Sequence, residues 1–181
     1  MFRVGIYSLV SLWTASLPST TAEARTAITV DQWIETAVRF VQWPTTSDTS
    51  IGGSFVLCHP VGELTSTKLA EREVRGLRFR LMPIANPRET GPCHIFFTES
   101  KDRVAIGGWL SMLQHRPVLL LGLSREFCDT GGTICMALAS YASARYAVNY
   151  AAASAVGLKV SSHLPAHDVN AFSRSGARGR L

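Results

Sequence analysis

Residues 93–121 read CHIFFTESKDRVAIGGWLSMLQHRPVLLL. The stretch has the pattern of a strand, a helix and a second strand. His94-Ile-Phe-Phe97 is a short apolar run of the kind buried on both sides of a sheet. Residues 103–114 suit a helix, with Gly107-Gly108 weakening its middle. Residues 117–121 are wholly apolar and predict another strand. Continuous apolar strands alternating with helices argue for a mostly parallel sheet covered on both faces, an α/β/α sandwich.

The same alternation continues outward in both directions. On the amino-terminal side, residues 30–43 place Val30, Trp33, Ile34, Ala37, Val38 and Val41 on one helical stripe, which Pro44 ends. A polar turn region, 45–53, leads to a strand at 54–58. Residues 64–73 suit a helix. Residues 77–84 alternate Leu77, Phe79 and Leu81 against Arg78 and Arg80, as a strand does, and 86–92 form a loop holding two prolines and a glycine. On the carboxyl side, 133–138 and 142–148 predict a hairpin. An alanine-rich helix over 149–156 stops at Gly157, where a residue without Cβ fits a left-handed helix end.

The amino terminus decides the compartment. Arg3 supplies a positive charge, residues 4–17 an apolar stretch, and Ala22-Glu23-Ala24 a small-x-small cleavage site. That stretch is too short to span a bilayer comfortably. Residues 1–24 therefore read as a cleaved secretory signal, 25–172 as a single α/β domain, and 173–181 as a basic, disordered tail. The formal charge of +5 is concentrated in that tail, where Arg174, Arg178 and Arg180 sit without a carboxylate. About +2 is left on the body, too little to suggest nucleic acid as a partner. With 46% apolar and 17% charged residues, one packed core is expected.

No catalytic constellation stands out. His163 and His167, followed by Asp168, would share a helical face as some zinc ligands do, but Pro165 lies between them and no third ligand follows. Gly107-Gly108 and Gly131-Gly132 lack the spacing and lysine of a phosphate loop. Glu99 and Asp102 follow a strand, where α/β enzymes often place acids, yet no base or nucleophile pairs with them. No cofactor or metal is expected, and the chain is not read as an enzyme.

Four cysteines in an exported chain point to disulfides, and four allow three connectivities. Cys128 and Cys135 bracket a Gly-Gly turn, so their backbones can approach to bridging distance. A bridged loop carrying Ile134, followed by Tyr146 and Tyr150, is the expected partner-binding surface, since pre-shaped loops with tyrosines at the rim serve as anchors. The other reading has Ile134 and one tyrosine simply packing in the core.

The order of motifs resembles that of the YfiR family. The residues that carry it are Arg39-Phe-Val-Gln-Trp-Pro44, Phe55-Val-Leu-Cys58, Cys93-His-Ile-Phe-Phe97, Pro117-Val-Leu, Phe127 with Gly131-Gly-Thr-Ile134, and Arg145-Tyr-Ala-Val-Asn149. Two stretches depart from it: His59-Pro60 after Cys58, and His163-Leu-Pro-Ala-His167. The resemblance implies a periplasmic α/β regulator that restrains an inner-membrane diguanylate cyclase. It implies that an outer-membrane lipoprotein of the OmpA type can sequester the regulator, and that the chain forms a homodimer. It also implies the pairs Cys58–Cys93 and Cys128–Cys135. The first pair sits awkwardly with the strands read above. Were 54–58 and 94–97 adjacent and parallel, Cys58 and Cys93 would fall near opposite strand ends, so the bridge needs an offset register or a bent strand. Besides a partner-binding repressor, a periplasmic small-ligand binding protein and a hydrolase with dispersed catalytic residues remain compatible with the sequence.

The export reading has a direct check. Intact-mass measurement of protein recovered from the periplasm is expected to give a chain beginning at Arg25. A species that retains residues 1–24 would refute the cleavage site.

Overall fold

The computed structural model describes residues 29–44, 53–64, 68–137, 145–164 and 166–168. The expected signal segment and basic tail lie outside them. Ten strands and four α-helices are found among the described residues. Eight strands form one sheet in the order β10-β8-β7-β6-β5-β2-β4-β3. At its centre β4 (Leu77–Ile84), β2 (Ser54–Pro60), β5 (Ile95–Thr98), β6 (Leu119–Gly122) and β7 (Ile134–Ala137) all run parallel. Two antiparallel pairings flank this block. β8 (Arg145–Val148) lies against β7 as a hairpin, and β3 (Glu73–Val74) lies against β4. β10 (Ala166–Asp168) adds to β8 in parallel. The mostly parallel α/β arrangement matches the sequence reading.

Helices cover both faces. On one, α1 (Val30–Arg39) and α4 (Tyr150–Ala155) bury Trp33, Ile34, Ala37, Val38 and Ala153 against Leu57, Ile95, Phe97, Leu119, Leu121, Ile134 and Val148. On the other, α2 (Arg103–Leu113) and α3 (Arg125–Asp129) bury Ile106, Leu110, Leu113 and Phe127 against Val56, Phe96 and Leu120. Local chemistry sets the helix starts. Thr29 and Gln32 cap α1 reciprocally, Asp102 Oδ1 accepts from Val104 N at 2.9 Å, and Ser124 and Asn149 do the same for α3 and α4.

Two expected helices come out differently, and each for a tertiary reason. The helix read over 30–43 stops at Arg39, and Val41–Gln42 (β1) instead pairs antiparallel with β9 (Lys159–Val160). The Arg75 guanidinium holds the helix end there, donating to Arg39 O at 2.5 Å and to Val41 O at 2.8 Å. The helix read over 64–73 is absent. Leu64 has φ 53°, residues 65–67 lie outside the described part, and Lys68–Glu71 is a single 3₁₀ turn leading into β3. The β3–β4 turn needs positive φ at both central residues, Arg75 (55°) and Gly76 (78°). That pairing outweighs the helical propensity of the residues before it. The loop read over 86–92 contains a further 3₁₀ turn, Pro87–Thr90, opened by Asn86, whose side chain accepts from Arg88 N at 3.0 Å.

The Phe127 side chain lies close against two glycine backbones. A Cβ at Gly122 would stand 2.3 Å from Phe127 Cγ, and one at Gly132 would stand 2.1 Å from Phe127 Cε1. Only glycine leaves room for the ring at both positions. Phe127 is wholly buried, so it cannot swing away into solvent. Gly122→Ala is therefore expected to destabilise the fold by about 1–3 kcal/mol through overpacking, and Phe127→Ala by about 3–5 kcal/mol through an unfilled cavity. Urea unfolding of both variants checks this. A Gly122→Ala protein as stable as the parent would show that the ring is not confined.

Candidate functional site

Both bridges lie in the core beneath α2 and α3. Cys58 is bonded to Cys93, and Cys128 to Cys135, with Cα separations of 5.7 and 5.9 Å. The awkward first bridge is explained by the route of the chain. Leu57 pairs with Ile95 and Cys58 with Phe96, so the register is offset from a simple end-to-end match. The chain then turns off the sheet before β5. Cys93 N donates back to Thr90 O at 3.1 Å, and Val56 N donates at 3.0 Å to the His94 ring, which takes the place of the next ladder carbonyl. Cys93 is thereby brought over Cys58 instead of lying three residues down the strand. Offset and bend are both present.

The loop between Cys128 and Cys135 is braced throughout. Thr130 N donates to Glu126 O, Gly131 N to Cys128 O, Gly132 N to Phe127 O and Thr133 N to Leu120 O, all between 2.9 and 3.1 Å. Gly131 takes φ 117°, a value that side-chain-bearing residues rarely reach. Both sulfurs approach Ala147 O, at 3.6 and 3.8 Å, which ties the bridge to β8.

The three residues expected to anchor a partner do not share that role. Ile134 has no exposed surface and packs between Leu121 and Val148. Tyr146 is 2% exposed, its ring stacked on Trp33 at 5.5 Å and 9°, and its hydroxyl donates to Trp33 O at 3.1 Å. Burial pushes the Tyr146 phenol up to about 12, so it stays protonated through ordinary pH. Both are core residues: a correction to the expected surface. Tyr150, at the start of α4, is half-buried and keeps an exposed part. The other polar candidates are also accounted for structurally. Asp102 caps α2, and Glu99 N donates to Glu63 Oε2 at 2.7 Å. His163 lies in a turn with Nδ1 3.2 Å from Ser161 Oγ, while His167 lies in β10, so no helix brings the two together. Among the described residues, no group of three His, Cys, Asp or Glu is placed to hold a metal ion.

Among the described residues, the large apolar side chains left in solvent are Val61, Val104 and Met112. The last two stand on the outer face of α2, which the sequence reading passed over. The signal was present: no charged residue occurs between Val104 and Leu113.

Fold and bridges together define a disulfide-linked α/β/α domain. The YfiR/HmsC-like family model matches residues 31–165, and the chain belongs to that family. No curated protein matches the sequence. Among the described residues, no helix is long and apolar enough to cross a membrane.

The two bridges are expected to contribute unequally. Cys58–Cys93 closes a separation of 35 residues and Cys128–Cys135 one of 7. On the chain-entropy relation these correspond to about 4 and about 2 kcal/mol. Cys58→Ser should therefore lower denaturant stability more than Cys128→Ser. Equal losses, or a larger loss for Cys128→Ser, would refute the ranking.

Proposed function

We propose that the protein is an exported periplasmic regulator that binds and restrains an inner-membrane diguanylate cyclase, lowering cyclic di-GMP and biofilm formation. The observation that carries this reading is the family match across residues 31–165. The two disulfides fit it, because bridges of this kind persist in an oxidising compartment. The protein acts by docking and not by catalysis. An OmpA-type outer-membrane lipoprotein is the proposed second partner, competing for the regulator.

A rigid scaffold suits such a role. A loop already held by a disulfide and four backbone hydrogen bonds loses little freedom when a partner docks. Tyr150 is the residue of the expected trio that retains exposed surface, so alanine substitution for binding begins there. Ile134→Asp is unsuited to the purpose, since it would bury a carboxylate and unfold the chain.

Deletion of the gene is expected to raise cellular cyclic di-GMP and biofilm mass, and the wild-type gene supplied in trans should restore both. Cyclic di-GMP measured by mass spectrometry decides the matter. An unchanged level in the deletion strain would rule out the repressor reading.

A further inference from the structure

His94 clasps Val56 at two points. Its backbone N donates to Val56 O at 3.0 Å, and its ring Nδ1 accepts from Val56 N, also at 3.0 Å. A backbone amide can only donate, so the contact fixes the tautomer: Nδ1 offers its lone pair and the proton sits on Nε2. Strand amides ordinarily donate to carbonyls, which do not titrate. This one donates to a base that does.

An imidazolium carries a proton on both nitrogens and cannot accept. The bond is therefore complete while the ring is neutral, above the ordinary imidazole value of about 6.5, and is lost as pH falls through and below that range. Once released, the amide has no substitute. Val56 is 1% exposed, so its N–H would be left unpaired away from water. His94 itself is half-buried, and protons reach it from solvent without prior unfolding. The other histidines differ. His59 Nδ1 lies 3.0 Å from Pro60 O, an acceptor, so a protonated ring keeps that contact. The Ser161 hydroxyl beside His163 can either donate or accept.

The charged groups around His94 come from the elements on either side. Arg80 stands opposite Val56 on β4, and Arg116, just before β6, is held to Thr90 O and Gly91 O at 2.7 and 2.6 Å. The turn Pro87–Thr90 carries Arg88 and Glu89, whose carboxylate is taken by Ala85 N and the Asn86 amide. At the carboxyl end of α2, His115 is exposed. Cations outnumber carboxylates here, which favours the neutral ring until the surroundings are acid.

We propose that His94 is an acid-sensitive latch on the entry to β5. Neutral, it closes the ladder over Val56 and keeps the Cys58–Cys93 bridge sealed; protonated, it releases both. Cys93 is the residue before the latch, and its bridge to Cys58 is shut in, with Cys58 wholly buried and Cys93 4% exposed. A reductant reaches those sulfurs only when the chain entering β5 lifts away. The latch rests on the geometry of β2 and β5 alone, so the regulatory reading can fail without affecting it. The proposed compartment gives it a use, since an exported chain meets the acidity of the medium.

The test is reduction of the folded, fully bridged chain by a water-soluble phosphine, with each new thiol trapped by a maleimide and located by peptide mass spectrometry. Rates are taken relative to the urea-unfolded chain at the same pH, which removes the pH dependence of the reagent. From about pH 7.5 to about pH 5, reduction of Cys58–Cys93 is expected to accelerate about tenfold or more. Cys128–Cys135, which joins α3 to β7 two strands further along the sheet, should keep its rate. His94→Asn places an amide oxygen where Nδ1 stands and does not titrate, so its Cys58–Cys93 bridge should show no acid acceleration. His94→Phe, with no acceptor, should be fast at both ends of the range. Nitrogen NMR of the unaltered chain needs no variant: Nδ1 should be unprotonated at neutral pH, and the Val56 amide resonance should move with the titration of the ring. A flat rate for Cys58–Cys93, equal acceleration of both bridges, or acceleration that persists in His94→Asn overturns the latch. So does a Val56 amide indifferent to that titration.

Discussion

In β5, Ile95 and Phe97 point into the layer beneath α1, while Phe96 points into the layer beneath α2 and α3. All four residues of that strand are buried. It is hydrogen-bonded to β2 on one side and β6 on the other, so every polar backbone group on it depends on those neighbours. Both hydrophobic layers are therefore organised around one four-residue strand. A shift of its register by one residue would exchange Phe96 for Phe97 and put the wrong ring into each layer.

The features around this strand secure its neighbours where the sheet runs out of pairing. The Cys58–Cys93 bridge, with His94 closing the ladder to Val56, holds the chain as it enters β5. Phe127 against Gly122 joins α3 to the end of β6, and Cys128–Cys135 joins α3 to β7. On the other face, Arg75 holds the end of α1, and Glu35 bridges Arg39 and Arg72 at 2.8 and 2.9 Å. These ion pairs are partly exposed and contribute modestly. The Arg75 contacts matter more, because they satisfy carbonyls that the shortened helix leaves open.

With both sheet faces covered, the surfaces open to another molecule are the outer sides of helices, the loops and the sheet edges. Partner recognition by this domain therefore has to be read from what the helices present outward, and not from the composition of the core. Tyr146 illustrates the hazard: an aromatic with a polar tip looks like an interface anchor, and here its hydroxyl is satisfied inside by Trp33 O.

The strands at 77–84, 94–97 and 117–121, the helix at 103–114 and the hairpin of 133–138 with 142–148 are legible because each rests on local pattern: apolar runs, alternation, caps and turn residues. β4 was read to its exact observed ends, and the strands at 94–97 and 117–121 and the helix at 103–114 to within two residues; the second strand of the hairpin, read from 142, is described from Arg145 onward. Sheet class followed from those patterns, since strands without a polar side must be covered twice. What sequence could not decide was every feature set by a partner distant along the chain. The early end of α1 depends on Arg75, and the loss of the helix at 64–73 on pairing between β3 and β4. The Cys58–Cys93 bridge depends on a bend at His94, and the burial of Ile134 and Tyr146 on which strands lie beside them. Local propensities differ by less than a kilocalorie or so per residue, and one buried side chain or satisfied carbonyl is worth as much. Periodicity and turn chemistry therefore determine which elements exist, and tertiary contacts decide where they end and which side chains are left for a partner.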